Sequence, residues 1–215
     1  MATLAVLTSI GIIVGSFIGA FLFYYIVSPQ SSREKRKMIE QITSILINFV
    51  IFIWIGKICV HIHLFIRDPL AVLAYPSNTA SFYVACLFIV IYLIYKVKRH
   101  HFHIWSLIYT FVPIFLVASF IYHFAQIVWM DHTFAWVEFV LLTFLLLGYL
   151  LVYRHVTKTL QTFILLFTWN IGKIVIAFLL PYTTIFGYTV SITFLFILLI
   201  FNIFLFIYDQ RSVLT

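Results

Sequence analysis

The sequence predicts an all-α, polytopic membrane protein, and its composition, its low charge and its long apolar segments support that prediction. Of the 215 residues, 65% are hydrophobic, 20% are aromatic and only 9% are charged. A soluble domain carries roughly 25% charged residues. The apolar segments are about 20 residues long, which is the length that crosses a bilayer as a helix. Their connections are short, so we expect one membrane-embedded domain over residues 1–215.

Seven segments meet this length, so we expect a bundle of about seven transmembrane helices. The predicted spans are 3–27, 41–61, 80–97, 104–129, 134–153, 160–180 and 184–208. We number them one to seven in chain order.

Basic residues in the connections predict the orientation of the bundle. Those on one side are Arg33, Lys35, Arg36, Lys37, Lys96, Lys98, Arg99, Arg154, Lys158 and Arg211. The other side has only Arg67. The positive-inside rule then places the C-terminus in the cytoplasm and the N-terminus outside. The net charge of +7 is explained by orientation and by anionic lipid headgroups, so nucleic acid is not an expected partner.

Polar side chains within the spans share one depth. Ionisable groups are costly in lipid and need internal partners, so each is a candidate functional residue. With the predicted topology, all of them lie in the outward-facing half of their spans. The candidates are Lys57, His61, His123, Gln126, Glu138, Asn170 and Lys173, with Arg67 in an outer connection. We expect a polar pocket at the outer leaflet, walled by spans two, four, five and six.

A purely structural interpretation stays open for each of these residues. Lys57 can reach the outer interface, and Glu138 can neutralise either Lys57 or Lys173. His123 and Gln126 can tie helices together. Four tryptophans either line the pocket or form an interfacial belt, namely Trp54, Trp129, Trp136 and Trp169.

The residue types in this set permit acid–base chemistry. An imidazole is the usual proton-transfer group at neutral pH, so His123 or His61 is the candidate base. Lys57 and Lys173 are candidates to hold a phosphate or a developing oxyanion. Glu138 would orient or neutralise a neighbour.

No cofactor or metal is expected. His100, His101 and His103 have no carboxylate or cysteine near them in sequence, which favours a basic rim over a metal site. Cys59 and Cys86 form no CxxC motif. Buried free thiols are the favoured interpretation, and a disulfide between them stays open.

In its order of motifs, the chain resembles the prolipoprotein diacylglyceryl transferase family over about 150 residues. Gly56-Lys57-Ile58 is similar to the family's G-A-R-L-G-Y pattern, and Asp68-Pro69-Leu70 to its D-P-L-E-I-L stretch. Asn78 to Tyr83 corresponds to G-G-M-S-F-H-G. Asn170-Ile171-Gly172-Lys173 is similar to part of Y-G-I-G-R-F. Gln126 and Glu138 fall near the G-R-I-G-N-F and Q-x-x-E regions.

The sequence also departs from the family at its core motif. Tyr83 stands where the family has histidine, and residues 119–128 lack G-R-I-G-N-F. Lysine replaces arginine at Lys57 and Lys173, and it cannot make the bidentate phosphate contact. His123 lies inside this altered core.

The resemblance implies a lipid-handling protein of the bacterial plasma membrane. It would transfer a group derived from a phosphatidylglycerol-like phospholipid to an outer-leaflet protein, with lipoprotein precursors as partners. In this interpretation Lys57, Lys173, Asn170, Gln126 and Arg67 bind the lipid. The alternative is a protein that binds lipid or a partner without catalysis, and a small-solute transporter is the less favoured third interpretation.

Overall fold

A computed structural model describes the backbone of residues 2–74, 77–100, 104–130, 134–152 and 156–214. The helices and strands are α1 Ala2–Val27, α2 Ser32–Val60, α3 Ile62–Arg67, α4 Pro69–Ala74, α5 Thr79–His100, α6 Ile104–Met130, α7 Ala135–Val152, α8 Lys158–Leu179, β1 Thr183–Ile185, β2 Tyr188–Val190 and α9 Ile192–Leu214.

Within the described residues, six helices are long and apolar enough to cross a membrane. They are Thr8–Val27, Ser32–Val60, Thr79–Arg99, Ile104–Met130, Lys158–Leu179 and Ile192–Gln210. The predicted fifth span corresponds to α7, whose apolar stretch Ala135–Leu151 is shorter. Large apolar side chains on these helices face outward, as in Ile26 (79% exposed) and Phe144 (71% exposed). A mainly helical, multi-pass membrane protein is therefore confirmed.

The seventh span begins later than predicted. We expected it at 184–208, but residues 183–190 form an antiparallel hairpin and α9 starts at Ile192. The expectation of an all-α chain missed this hairpin. β-Branched and aromatic residues flank Phe186-Gly187, and they are apolar enough to lengthen a hydrophobic window while favouring strands. Composition alone could not separate the two structures.

Helix α2 also begins before the predicted span at 41–61. Ser31 caps it, because the Ser31 hydroxyl accepts from the Glu34 amide while the Glu34 carboxylate accepts from the Ser31 amide. The first turns carry charged residues, so a membrane-length rule does not count them. The helix therefore extends from its apolar part into a polar segment.

The chain groups into two compact units, Gln30–Leu107 and the combination of Met1–Pro29 with Ile108–Thr215. We call them the α2/α5 unit and the hairpin unit. In the α2/α5 unit, helices α2 and α5 pack closely at Gly56, where a Cβ atom would lie 2.6 Å from the Ser81 carbonyl oxygen. Any larger residue at Gly56 would push the two helices apart.

The hairpin unit contains two polar clusters, one at each end of its helices. The first includes Glu138, in the first turn of α7. In the second, the Tyr109 hydroxyl donates to Asp209, 3.1 and 3.2 Å from the two carboxylate oxygens. The Thr159 hydroxyl donates to the Tyr109 oxygen at 2.8 Å. This second cluster connects α6, α8 and α9.

Candidate functional site

Three helices of the hairpin unit bring a carboxylate, an ammonium group and an imidazole together. Glu138 comes from α7, Lys173 from α8 and His123 from α6. All three are buried, with exposures of 5%, 2% and 3%. His123 Nε2 lies 2.7 Å from Glu138 Oε2, and the Lys173 ammonium donates to the same oxygen. The predicted proximity of span four, five and six residues is therefore present in the structure.

The hairpin completes this arrangement. Glu138 Oε1 accepts from the Thr183 hydroxyl at 2.8 Å and from the Thr184 amide at 3.2 Å. Lys173 also donates to the Thr184 carbonyl oxygen at 2.6 Å. We call these five residues, His123, Glu138, Lys173, Thr183 and Thr184, the Glu138 cluster.

Each charge in the Glu138 cluster has a local partner. The carboxylate receives four donors, and one of them is a cation. A buried ion pair is stable only when its remaining hydrogen-bonding groups are satisfied as well. Glu138 also lies in the first turn of α7, where the helix dipole favours a negative charge. These contacts explain how an ion pair is held inside an apolar bundle.

His123 has one nitrogen committed and one available. Because Nε2 faces a carboxylate oxygen, we assign the proton of the neutral ring to Nε2. Nδ1 is buried and has no hydrogen-bond partner among the described residues. It therefore carries an unused lone pair. A carboxylate on one ring nitrogen and a free lone pair on the other is the arrangement of a general base.

Gln126 is used within its own helix. Its side-chain amide donates to the Tyr122 hydroxyl at 2.9 Å, one helical turn away. The sequence places Gln126 three residues from His123, but this hydrogen bond joins it to Tyr122. Tyr122 is itself buried.

Asn170 contacts helix backbone. It is fully buried on α8, and we orient its amide so that both polar atoms are satisfied. In that orientation it donates to the Leu195 carbonyl at 3.1 Å and accepts from the Leu199 amide at 3.2 Å. These two backbone groups belong to successive turns of α9. Asn170 thus ties α8 to α9.

The four tryptophans separate into two environments. Trp54, Trp129 and Trp136 are 59%, 70% and 54% exposed, which suits an interfacial belt. Trp169 is 6% exposed, and the Lys173 ammonium lies 5.9 Å from the centre of its ring. Trp169 therefore adjoins the Glu138 cluster.

Lys57, His61 and Arg67 belong to the α2/α5 unit. Lys57 is buried at 7% exposure, while Arg67 is exposed. His61 Nε2 lies 3.3 Å from the Asn78 side-chain nitrogen. Asn78 in turn accepts from the Ser81 amide at 2.9 Å, capping α5. That span two walls the same pocket as His123 stays a prediction.

Cys59 and Cys86 are free thiols, as favoured from the sequence, but the expectation that they are buried was wrong, since Cys59 is exposed and Cys86 is only partly buried. His101 and His103 lie outside the described residues, as does the side chain of His100. Across the described part of the chain, no group of three histidine, cysteine or acidic residues could hold a metal ion.

Sequence reasoning missed Thr183 and Thr184. Thr183 fell in the predicted connection before the seventh span and Thr184 at the start of that span, although Thr183-Thr184-Ile185 and Tyr188-Thr189-Val190 flank a Phe-Gly pair. β-Branched residues on both sides of a two-residue glycine turn are a hairpin signal. That signal would have predicted that Thr183 and Thr184 lie at the same depth as Glu138.

Comparison with family models, curated proteins and solved structures found no match for this chain.

Proposed function

We propose that this chain is a lipid-handling, seven-span protein of the bacterial plasma membrane, with its N-terminus outside and its C-terminus in the cytoplasm. It transfers a phospholipid-derived group to an outer-leaflet protein acceptor. His123 is the base of that reaction. The observation that supports this is the 2.7 Å contact between His123 Nε2 and Glu138, with the buried Nδ1 left unpartnered.

The chemistry follows from that pair. Nδ1 takes the proton of an acceptor thiol, and Glu138 stabilises the imidazolium that forms. The thiolate sulfur attacks the glyceryl carbon that carries the phosphate ester. The bond between that carbon and the ester oxygen breaks, and glycerol phosphate leaves with the electron pair. A diacylglyceryl thioether remains on the acceptor.

Lys173 and this histidine contact the same carboxylate oxygen, Glu138 Oε2. We assign Lys173 to the phosphate of the lipid, where its charge stabilises the leaving group. Lys57, Arg67, Asn170 and Gln126 remain proposed lipid contacts. In the structure, the hydrogen bonds of Asn170 tie α8 to α9, and the hydrogen bond of Gln126 holds the Tyr122 hydroxyl.

A second candidate is a lipid- or partner-binding protein without catalysis. The saturation of Glu138 by four donors supports it, because such a network also serves as a purely structural tie. In this case His123 contributes only its Nε2 hydrogen bond. The two candidates therefore differ in whether Nδ1 is used.

A transfer assay on His123→Gln separates them. The glutamine amide can keep a hydrogen bond to Glu138 but supplies no basic nitrogen. Purified protein would be incubated with labelled phosphatidylglycerol and a peptide carrying a lipoprotein-type cysteine, and the product followed by mass. We expect product from the wild-type protein and a loss of about 10²–10⁴-fold in rate in the variant, with unchanged thermal stability.

The controls decide the remaining cases. An acceptor peptide with serine in place of cysteine should give no thioether product. Absence of product from the wild-type protein, with retained phosphatidylglycerol binding, would favour the non-catalytic candidate. A His123→Gln protein that transfers at the wild-type rate would remove His123 from the mechanism.

A further inference from the structure

The β1–β2 hairpin turns back among the helices of the hairpin unit. Helix α8 ends at Leu179, and the chain returns so that the Phe186 ring meets Phe115 with their centres 5.7 Å apart. At 1.5 Å per residue, Phe115 lies about 22 Å from the Met130 end of α6. The α6, α7 and α8 ends on that side are joined through the Glu138 cluster. The tip of the hairpin therefore lies farther from these helix ends than the Glu138 cluster does.

The tip has an unusual backbone. Phe186 has φ 47° and Gly187 has φ 86°. Two successive residues with positive φ match the type I′ turn of two-residue hairpins. A phenylalanine at positive φ is a strained position that its surroundings must compensate. The conformation is therefore maintained by contacts of the ring.

Those contacts are aromatic. The Phe186 ring stacks on Phe17 with centres 5.1 Å apart, and it lies 5.3 Å from the Tyr122 ring. A Cβ atom on Gly187 would be 3.1 Å from the Tyr122 hydroxyl oxygen. Tyr122 precedes His123 in the chain. The tip of the hairpin thus packs on Tyr122, the residue next to His123, which is the proposed general base.

The Thr183-Thr184 part of the hairpin is held to the Glu138 cluster by polar contacts. Thr183 donates its hydroxyl to Glu138, while Thr184 uses only its backbone, donating to Glu138 and accepting from Lys173. Lys173 therefore donates one ammonium hydrogen to a neutral carbonyl oxygen. A phosphate oxygen is a stronger, charged acceptor for that hydrogen.

We propose that the β1–β2 hairpin is a lid on the His123 site, and that a phosphate ester opens it by replacing the Thr184 carbonyl as the acceptor on Lys173. The ligand class is a phosphate-bearing headgroup. The proposal rests on the proposed function in taking the Glu138 cluster as the site. It adds that the hairpin and the phosphate compete for one cation, so substrate entry and lid opening are the same event.

Cysteine labelling tests the lid without any need for turnover. In a protein with Cys59→Ser and Cys86→Ser, Ile185→Cys places a thiol at a position that is 9% exposed in β1. Its reaction with a water-soluble maleimide reports hairpin opening. The protein would be held in nanodiscs of phosphatidylcholine or of phosphatidylcholine with phosphatidylglycerol, with and without soluble glycerol phosphate.

Two threonine variants make a matched pair. Thr183→Val removes the hydroxyl that donates to Glu138, whereas Thr184→Val leaves both backbone contacts in place. Removal of a hydrogen bond to a charged group is expected to raise the labelling rate about tenfold in Thr183→Val. Thr184→Val should label at the rate of the parent. Equal labelling rates for the two variants would show that the Thr183–Glu138 hydrogen bond does not hold the lid closed, and would overturn the proposal.

The phosphate arms test the ligand and do not depend on Thr183→Val folding. We expect phosphatidylglycerol to raise labelling of the parent protein several-fold, and Lys173→Met to abolish that response. A response to soluble glycerol phosphate alone would assign the lid to a free phosphate ester, which still supports the exchange on Lys173. If neither phosphatidylglycerol nor glycerol phosphate changes the labelling rate, the proposed exchange on Lys173 is wrong. If phosphatidylglycerol opens the lid but no transfer product forms, the lid stands and the transferase does not.

Discussion

Two buried carboxylates at opposite ends of the hairpin unit show what separates a structural tie from a candidate site. Asp209 is 3% exposed and accepts from the Tyr109 hydroxyl, which in turn accepts from Thr159. Glu138 is 5% exposed and accepts from a cation, an imidazole and the hairpin. At Asp209, the Tyr109 hydroxyl donates to the carboxylate and the Thr159 hydroxyl donates to the Tyr109 oxygen. The imidazole beside Glu138 has a second nitrogen that can accept a proton.

The comparison teaches that burial of an acid is not by itself a functional signal. A carboxylate that receives hydroxyl donors ties helices together. A carboxylate that holds a histidine by one nitrogen leaves the other nitrogen available for chemistry. The following variants test this distinction by stability measurements in detergent, from the largest expected effect to the smallest.

Glu138→Ala should be the most damaging change. It leaves the Lys173 ammonium and His123 Nε2 buried without their shared acceptor, and removal of one partner of a buried pair costs about 3–5 kcal/mol. Denaturant titration would measure the free energy of unfolding. Glu40→Ala, at an exposed acid of α2, is the control and should change it by less than about 0.5 kcal/mol. Similar losses for the two variants would contradict the role of Glu138.

Adding Lys173→Met to Glu138→Ala should recover part of that loss. The double variant removes the stranded cation and replaces it with an apolar chain of similar length. Coupling within a buried pair is about 1–3 kcal/mol, so the double variant should be more stable than the sum of the two single losses predicts. A complete double-mutant cycle measures the coupling. Strict additivity would mean that the two side chains do not interact.

Asp209→Asn should cost less, about 1–2 kcal/mol. The amide oxygen keeps an acceptor for the Tyr109 hydroxyl, so that hydrogen bond persists without its charged character. The same denaturant titration measures it, and transfer activity should remain. If this variant abolished transfer while folding normally, the Asp209 cluster would have a functional role that its geometry does not suggest.

Tyr109→Phe should have an effect of similar size, about 1–2 kcal/mol, because it takes a donor from the buried Asp209 carboxylate. It removes the hydroxyl between Thr159 and Asp209 but keeps the ring. A thermal melt with intrinsic fluorescence would give the change in Tm. Tyr122→Phe is the matched variant at the other end, where the hydroxyl accepts from Gln126. An unchanged Tm in Tyr109→Phe would contradict a stabilising role of the hydrogen bonds that its hydroxyl makes.

Much of the fold follows from local rules. The span predicted at 104–129 corresponds to helix α6 at Ile104–Met130, and that at 160–180 to α8 at Lys158–Leu179. An apolar run of about 20 residues in lipid has one backbone solution, the helix, because its hydrogen bonds must close within the segment. The shared level of His123, Glu138 and Lys173 was also predictable, since depth depends only on position along each helix.

What the sequence alone determined is therefore the solvent, the helices and the level of the charged residues. Tertiary structure decided which of those residues meet. It joined His123, Glu138 and Lys173 around one oxygen, while Gln126 and Asn170 turned to a tyrosine and to helix backbone. It also placed Thr183 and Thr184 at the cluster through a hairpin that hydrophobicity could not distinguish from a helix. The rotation of each helix and the path of a hairpin depend on packing against other segments, and such long-range contacts are not encoded in any single stretch of the chain.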